Sequence, residues 1–122
     1  MNKLALIIED DEDLALIFAE ALRAVDYEVE TIADGGRAQQ RLDEVVPYLI
    51  LLDMHLPHVS GADLLGKIRT DERLKGVTVI ITTADARMAE MYGNMADFVM
   101  VKPISFVQLR DLTARLLQKN KK

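Results

Sequence analysis

Tyr48-Leu49-Ile50-Leu51-Leu52-Asp53-Met54-His55-Leu56-Pro57 is the stretch that decides the fold. Leu49 to Leu52 leave no polar side chain to face water, so the segment reads as a strand buried on both faces, as in a parallel sheet. It ends on one carboxylate, Asp53, and a loop containing a proline follows. In open α/β sheets ligands sit at the carboxyl ends of the strands. Asp53 is therefore a candidate functional group on position alone.

Outward from this strand, apolar runs alternate with helical periodicity five times, the pattern of βα units that feed a parallel sheet. The runs predict strands at Leu4-Ile8, Glu28-Ile32, Leu49-Leu52, Val77-Thr82 and Phe98-Val101. The second alternates in polarity and reads as an edge. Leu14, Ile17, Phe18, Ala21, Leu22 and Val25 form a stripe of spacing three and four, so the first helix should turn these residues to a core. Ser60 with Asp63, and Ser105 with Gln108, have the spacing of reciprocal caps, and helices should begin just after each serine. Gly35-Gly36 and Pro47 punctuate the ends of the second helix. Right-handed crossovers then place helices on both faces of one sheet, with strand ends converging on one rim.

The bulk properties exclude several function classes. At 122 residues the chain is the length of one domain, 1–122, with core enough to need no staples. Its 20 acidic and 15 basic residues give a net charge of −5, which disfavours direct nucleic-acid contact or an anionic membrane surface, since both rely on excess Lys and Arg. The tail Lys119-Asn120-Lys121-Lys122 is too small to reverse that. No cysteine is present, which rules out disulfides and thiolate sites and fits a reducing, cytoplasmic location. The apolar start Leu4 to Ile8 is too short for a signal or spanning segment.

If the sheet is parallel, Glu9, Asp10, Asp53, Thr83 and Lys102 all lie at the carboxyl ends of strands. Crowded carboxylates repel unless a cation sits among them, and hard oxygen donors favour Mg²⁺. Carboxylates also serve as nucleophiles that form aspartyl phosphates, while cations neutralise the transferring group. Asp53 is then the nucleophile. Asp10 ligates the metal directly, Glu9 directly or through water, and a loop carbonyl such as that of His55 completes the shell. Lys102 supplies a compact positive charge. Asp11 and Asp13 have a simpler reading as helix N-terminal acids, and His55 and His58, both in one loop, as solvated residues.

The ordered segments Leu6-Ile7-Ile8-Glu9-Asp10-Asp11, Leu51-Leu52-Asp53-Met54-His55-Leu56-Pro57, Ile80-Ile81-Thr82-Thr83-Ala84 and Val101-Lys102-Pro103 together resemble the receiver domain of two-component response regulators, the CheY-like family. The resemblance spans essentially the whole chain. It implies a flavodoxin-like sheet of order 2-1-3-4-5 with five helices, and transfer of a phosphoryl group to Asp53 from the phosphohistidine of a sensor histidine kinase or phosphotransfer protein. It further implies Mg²⁺ dependence, slow self-dephosphorylation, a cis Lys102-Pro103 bond and an unknown downstream protein partner. Such a domain catalyses its own modification rather than turning over a substrate. Thr83 matches the family's switch hydroxyl, because the small Ala84 follows and leaves room for the phosphoryl group. A hydrogen bond from Thr83 to that group is worth about 1.5 to 3 kcal/mol, whereas full reversal of a two-state equilibrium takes about 5.5, so other groups must contribute.

Two departures from the family lie between Thr83 and Lys102. The aromatic residue usual three places before the lysine is Val99 here, with Phe98 one place earlier. This stretch is also about three residues shorter, close to one helical turn, so the fourth helix should be short. It carries Met88, Met91, Met95 and Met100, which read simply as core fillers and alternatively as an adaptable partner surface. The competing function is a pseudo-receiver that binds proteins without phosphoryl turnover. A Mg²⁺ phosphohydrolase shares the nucleophile but needs a cap domain or substrate pocket that the sequence lacks. No output domain follows in the chain, which fits a single-domain regulator, a relay intermediate or a receiver cut from a longer protein.

Overall fold

The computed structural model describes residues 3–119. Five strands, β1 (Leu4–Ile8), β2 (Glu28–Ile32), β3 (Leu49–Asp53), β4 (Thr78–Thr83) and β5 (Phe98–Val101), form one sheet of order β2-β1-β3-β4-β5. Every pairing is parallel. The helices are α1 (Glu12–Arg23), α2 (Gly35–Glu44), α3 (Gly61–Thr70), α4 (Ala86–Tyr92) and α5 (Phe106–Lys119), with short 3-10 turns at Glu72–Leu74 and Gly93–Met95. This is the flavodoxin-like architecture expected.

Alternation along the strands divides the interior into two layers. Leu6, Ile8, Ile50, Leu52, Val79 and Ile81 pack against Ala38 and Leu42 of α2 and Leu64, Leu65 and Ile68 of α3. Ala5, Ile7, Leu49, Leu51 and Ile80 pack on the other face against Phe18 and Leu22 of α1 and Leu109 and Leu116 of α5. Each fully buried aliphatic side chain contributes about 1.5 to 3 kcal/mol. Tyr27, buried, and Tyr48, half-buried, pack beside α5, and their hydroxyls donate to the carbonyls of Thr113 and Leu116 at 2.9 and 3.0 Å.

Several details depart from the sequence reading. β3 and β4 run on to Asp53 and Thr83, because ladder-like bonding continues past the apolar runs: Met54 N–H donates to Thr82 O at 3.1 Å and Lys102 N–H to Thr83 O at 2.7 Å. Ile17 is 42% exposed; α1 instead buries Ala15, Phe18, Ala19, Ala21 and Leu22, since small alanines let the helix lie close to the sheet. Gly35 and Gly36 form the first turn of α2 rather than preceding it, because Asp34 caps that helix by accepting from Arg37 N–H at 2.9 Å. Ser105 and Gln108 do cap reciprocally, whereas Ser60 accepts from Asp63 N–H with no return bond among the described residues. The Lys102-Pro103 bond is cis. Met91 is 71% and Met95 37% exposed, so core filling holds for Met88 and Met100, which pack half-buried on the first and second layers respectively.

Candidate functional site

Two strand ends, those of β1 and β3, bring the acids together. Glu9 follows β1 directly, and its N–H still donates to Ile32 O at 3.0 Å, so the backbone remains in the sheet and the side chain stays buried. Asp10 stands one residue on and is exposed. Asp11 turns away to cap α1, accepting from Asp13 and Leu14 N–H at 3.0 and 3.1 Å. This separates the cap from the site, as the simpler reading of Asp11 held. Asp53 ends β3 in register with Thr82 and is 2% exposed. One carboxylate oxygen from each of Glu9, Asp10 and Asp53 lies within 4.8 Å of the others.

Lys102, placed by its backbone bond to Thr83, reaches into this cluster. Its Nζ donates to Glu9 Oε1 at 2.9 Å and lies 3.6 Å from Asp53 Oδ1. Burial works against the ammonium charge, but the two carboxylates outweigh it and hold the Lys102 pKa above that of an ordinary lysine. Glu9 is pushed up to about 7, first by burial and also by Asp53, against the opposing pull of Lys102. One lysine therefore does not compensate the acids. Three hard oxygen donors, two of them buried, with negative charge left over, fit a divalent cation such as Mg²⁺. Asp53 Oδ1 also accepts from His55 N–H at 3.1 Å, which orients the carboxylate and fixes the start of the loop.

Thr83 is fully buried at the end of β4. Its Oγ1 accepts from Asp85 N–H at 3.0 Å and donates to Asp85 O at 3.4 Å. Arg87 folds back on Asp85 and holds its carboxyl below the usual range, with His55 close enough to add to the effect. His55 and His58 are both exposed, as solvated loop residues should be, and His58 has a positive φ of 71°. Gly61, which opens α3, admits no side chain: a Cβ there would sit 2.5 Å from Asp53 O and 2.6 Å from Met54 Cα.

The sequence reading brought Glu9, Asp10, Asp53, Thr83 and Lys102 to one rim, and the structure places all five there. It missed Asp85 as the partner of Thr83. The signal was present, because Asp85 precedes a helical run and Asp is a preferred N-cap. A surface cavity of about 440 Å³ lies between α2 and α3, lined by Gln39, Leu42, Leu64, Ile68 and Leu74 among others. It includes none of the acid cluster.

Residues 5–114 match the response regulator receiver domain family. The chain is 33% identical over 118 residues to the phosphate regulon transcriptional regulatory protein PhoB of Rhizobium meliloti, covering 94% of this chain and 52% of that protein. It thus spans about half the length of that relative. Among solved structures, the signal receiver domain of a signal transduction histidine kinase from Syntrophus aciditrophicus superposes with a TM-score of 0.86 at 28% identity, covering 98% of this chain and 93% of that one. The receiver domain of a sensor histidine kinase from Pseudomonas aeruginosa, solved with a magnesium ion in its active-site cleft, gives 0.85 at 24% identity over 97% and 99% of the two chains.

Proposed function

The chain belongs to the response regulator receiver domain family of two-component signal transduction, and on that premise we propose that Asp53 is its phosphoacceptor and that residues 1–122 work as one receiver unit. The observation that carries this assignment is the position of Lys102 Nζ, 2.9 Å from Glu9 and 3.6 Å from Asp53, beside a three-carboxylate cluster open to solvent only through Asp10. An Asp53 carboxylate oxygen attacks phosphorus, the bond from phosphorus to the donor's imidazole nitrogen breaks, and an acyl phosphate forms on Asp53. Lys102 neutralises charge on the transferred oxygens. Glu9, Asp10, Asp53 and the backbone carbonyl of His55 would hold Mg²⁺, which when bound would supply neutralisation of the negative charge on the transferring group. Thr83 donates its hydroxyl proton to a phosphoryl oxygen.

The donor in this reading is the phosphohistidine of a sensor kinase or phosphotransfer protein in the cytoplasm, and the output is a changed contact with a protein. The name of the Rhizobium relative suggests an output in transcription. The net charge of −5 disfavours direct DNA contact by this domain, so such an output would run through a partner surface. No helix among the described residues is long and apolar enough to cross a membrane.

Incubation with acetyl phosphate and Mg²⁺, followed by intact mass, tests the assignment. A single phosphoryl adduct that is lost in Asp53→Asn and in the presence of chelator is expected. An adduct that survives in Asp53→Asn would move the acceptor elsewhere. Absence of any adduct in the wild type would leave the domain a phosphorylation-independent binding module.

A further inference from the structure

β2 is an open edge of the sheet, and its bonding to β1 shows which backbone groups are left over. Among the described residues it pairs with β1 alone. Glu28 N–H donates to Lys3 O at 2.8 Å, and Ile32 O accepts from Glu9 N–H at 3.0 Å. Residues bonded to one neighbour alternate along a strand, so Glu28, Glu30 and Ile32 address β1. The N–H and C=O groups of Val29 and Thr31 therefore point away from the sheet, ready to pair with another chain. Side chains alternate across the same edge. Glu30 lies on the α2 side, where Arg41 Nε donates to it at 2.6 Å, and Val29 packs on the α1 side. A surface cavity flanks the edge on each side: one of about 300 Å³ toward α1, bordered by Arg23 and Arg37, and one of about 270 Å³ toward α2, bordered by Arg37 and Arg41. An open edge between two cavities suits strand addition, in which main-chain bonds supply affinity and alternate side chains of the added strand drop to either side.

Charge decides what the edge accepts. Arg41, Arg69, Arg73, Arg87 and Arg110 each hold a carboxylate, and Arg69, reaching across from α3, grips Asp97 at 3.0 Å. Arg23 and Arg37 are exposed and hold none among the described residues. Both border the cavity on the α1 side, together with Glu12 and with Glu9, whose carboxylate is already bonded to Lys102. On a chain of net charge −5, this leaves an excess of unpaired positive charge beside an open edge. A second copy of the chain fits poorly, because antiparallel pairing centred on β2 sets Glu30 opposite Glu30, and like charges directly opposite destabilise a sheet. We propose that the β2 edge accepts an extended segment of a partner protein that carries acidic side chains at alternate positions, those beside Val29 and Thr31, and uncharged ones opposite Glu30. This surface is separate from the acid cluster, and the inference does not rest on Asp53 as phosphoacceptor.

Titration of the full chain with a blocked peptide of alternating glutamate and valine, followed by NMR of the backbone amides, tests it. Saturable shifts should centre on Val29 and Thr31, and at saturation their amide exchange should slow about tenfold, as new main-chain bonds imply. Amides of Glu30 and Ile32, already bonded to β1, should keep their exchange rates. Arg23→Gln and Arg37→Gln combined should weaken the peptide about tenfold, the sum expected of two exposed ion pairs. A peptide of the same composition with its glutamates and valines in separate blocks should bind about tenfold more weakly, and one N-methylated at alternate residues should not slow exchange at Val29 and Thr31. Absence of saturable shifts at these two residues overturns the proposal, and equal binding of the block peptide reduces it to general attraction between charges. Equal binding of a peptide with lysine in place of glutamate overturns the acidic partner. Slowed exchange at Val29 and Thr31 on raising protein concentration, without peptide, gives the edge to a second copy instead.

Discussion

Strand β3 buries all five of its residues and β5 buries none, although both end at the same acidic rim. The helices follow suit. α3, which leaves the Asp53 loop, buries Gly61, Leu64, Leu65 and Ile68, whereas α4 buries nothing. Transfer to Asp53 requires its oxygen to stay within a few tenths of an ångström of a productive position, and close packing in β1 and β3 enforces that. A readout requires two arrangements of similar energy, which a thin layer of half-buried side chains permits. Lys102 belongs to the rigid side although it follows β5, because its backbone is bonded to Thr83 and its ammonium to Glu9.

The largest expected effect sets the two sides against each other directly. Leu52→Ala should cost about 2 to 5 kcal/mol, the range for a buried leucine that leaves a cavity. Met91→Ala, at 71% exposure, should stay within about 0.5 kcal/mol. Urea unfolding of both variants measures this, and similar losses in the two would dissolve the distinction.

Most of the rigid side was legible in the sequence. Leu49 to Leu52 could be nothing but a buried strand, and the order of Glu9, Asp10, Asp53, Thr83 and Lys102 along five βα units fixes them to one rim once the sheet is parallel. The other side was legible only as a departure. Val99 and the short segment before it signalled an altered readout, and α4 is indeed seven residues long. The Arg69–Asp97 pair could not be foreseen, because its partners are 28 positions apart and local periodicity carries no information about that separation. Ile17 was misplaced for a related reason: spacing alone does not say where on a helix the centre of the buried arc falls.

Acid on the rigid side predicts a smaller, pH-dependent effect. The Glu9 carboxyl stands at about 7 in the folded protein against 4.5 as its ordinary value, first because of burial. Between those two values the folded chain holds more protons at Glu9 than the unfolded chain, so metal-free stability should fall as pH rises through that window and level off above it. Mg²⁺ binds the deprotonated carboxylate and should remove the slope, as should Glu9→Gln without metal. Urea midpoints from pH 4.5 to 8, taken for both proteins with chelator and with Mg²⁺, provide the measurement. Parallel metal-free profiles for wild type and Glu9→Gln would show that Glu9 does not titrate differently on folding.

The smallest effect concerns strain beside the site. His58 sits at φ 71°, exposed, in the loop that joins Asp53 to α3. An L residue in that region is disfavoured by about 1 to 2 kcal/mol, whereas glycine adopts it freely but gives up about 0.5 to 1 kcal/mol of unfolded-state entropy. The balance makes His58→Gly stabilising by roughly 0.5 kcal/mol. The loop is wedged on both sides of His58, with Val59 against Gly35 of α2 and Gly61 against the backbone of Asp53 and Met54. Neighbours rather than the histidine therefore hold its path, and the yield of phosphoryl adduct should not change. A His58→Gly chain that gains stability but loses the adduct would place the His58 side chain in the reaction, despite its exposure, and extend the rigid side of the molecule one loop further than packing alone indicates.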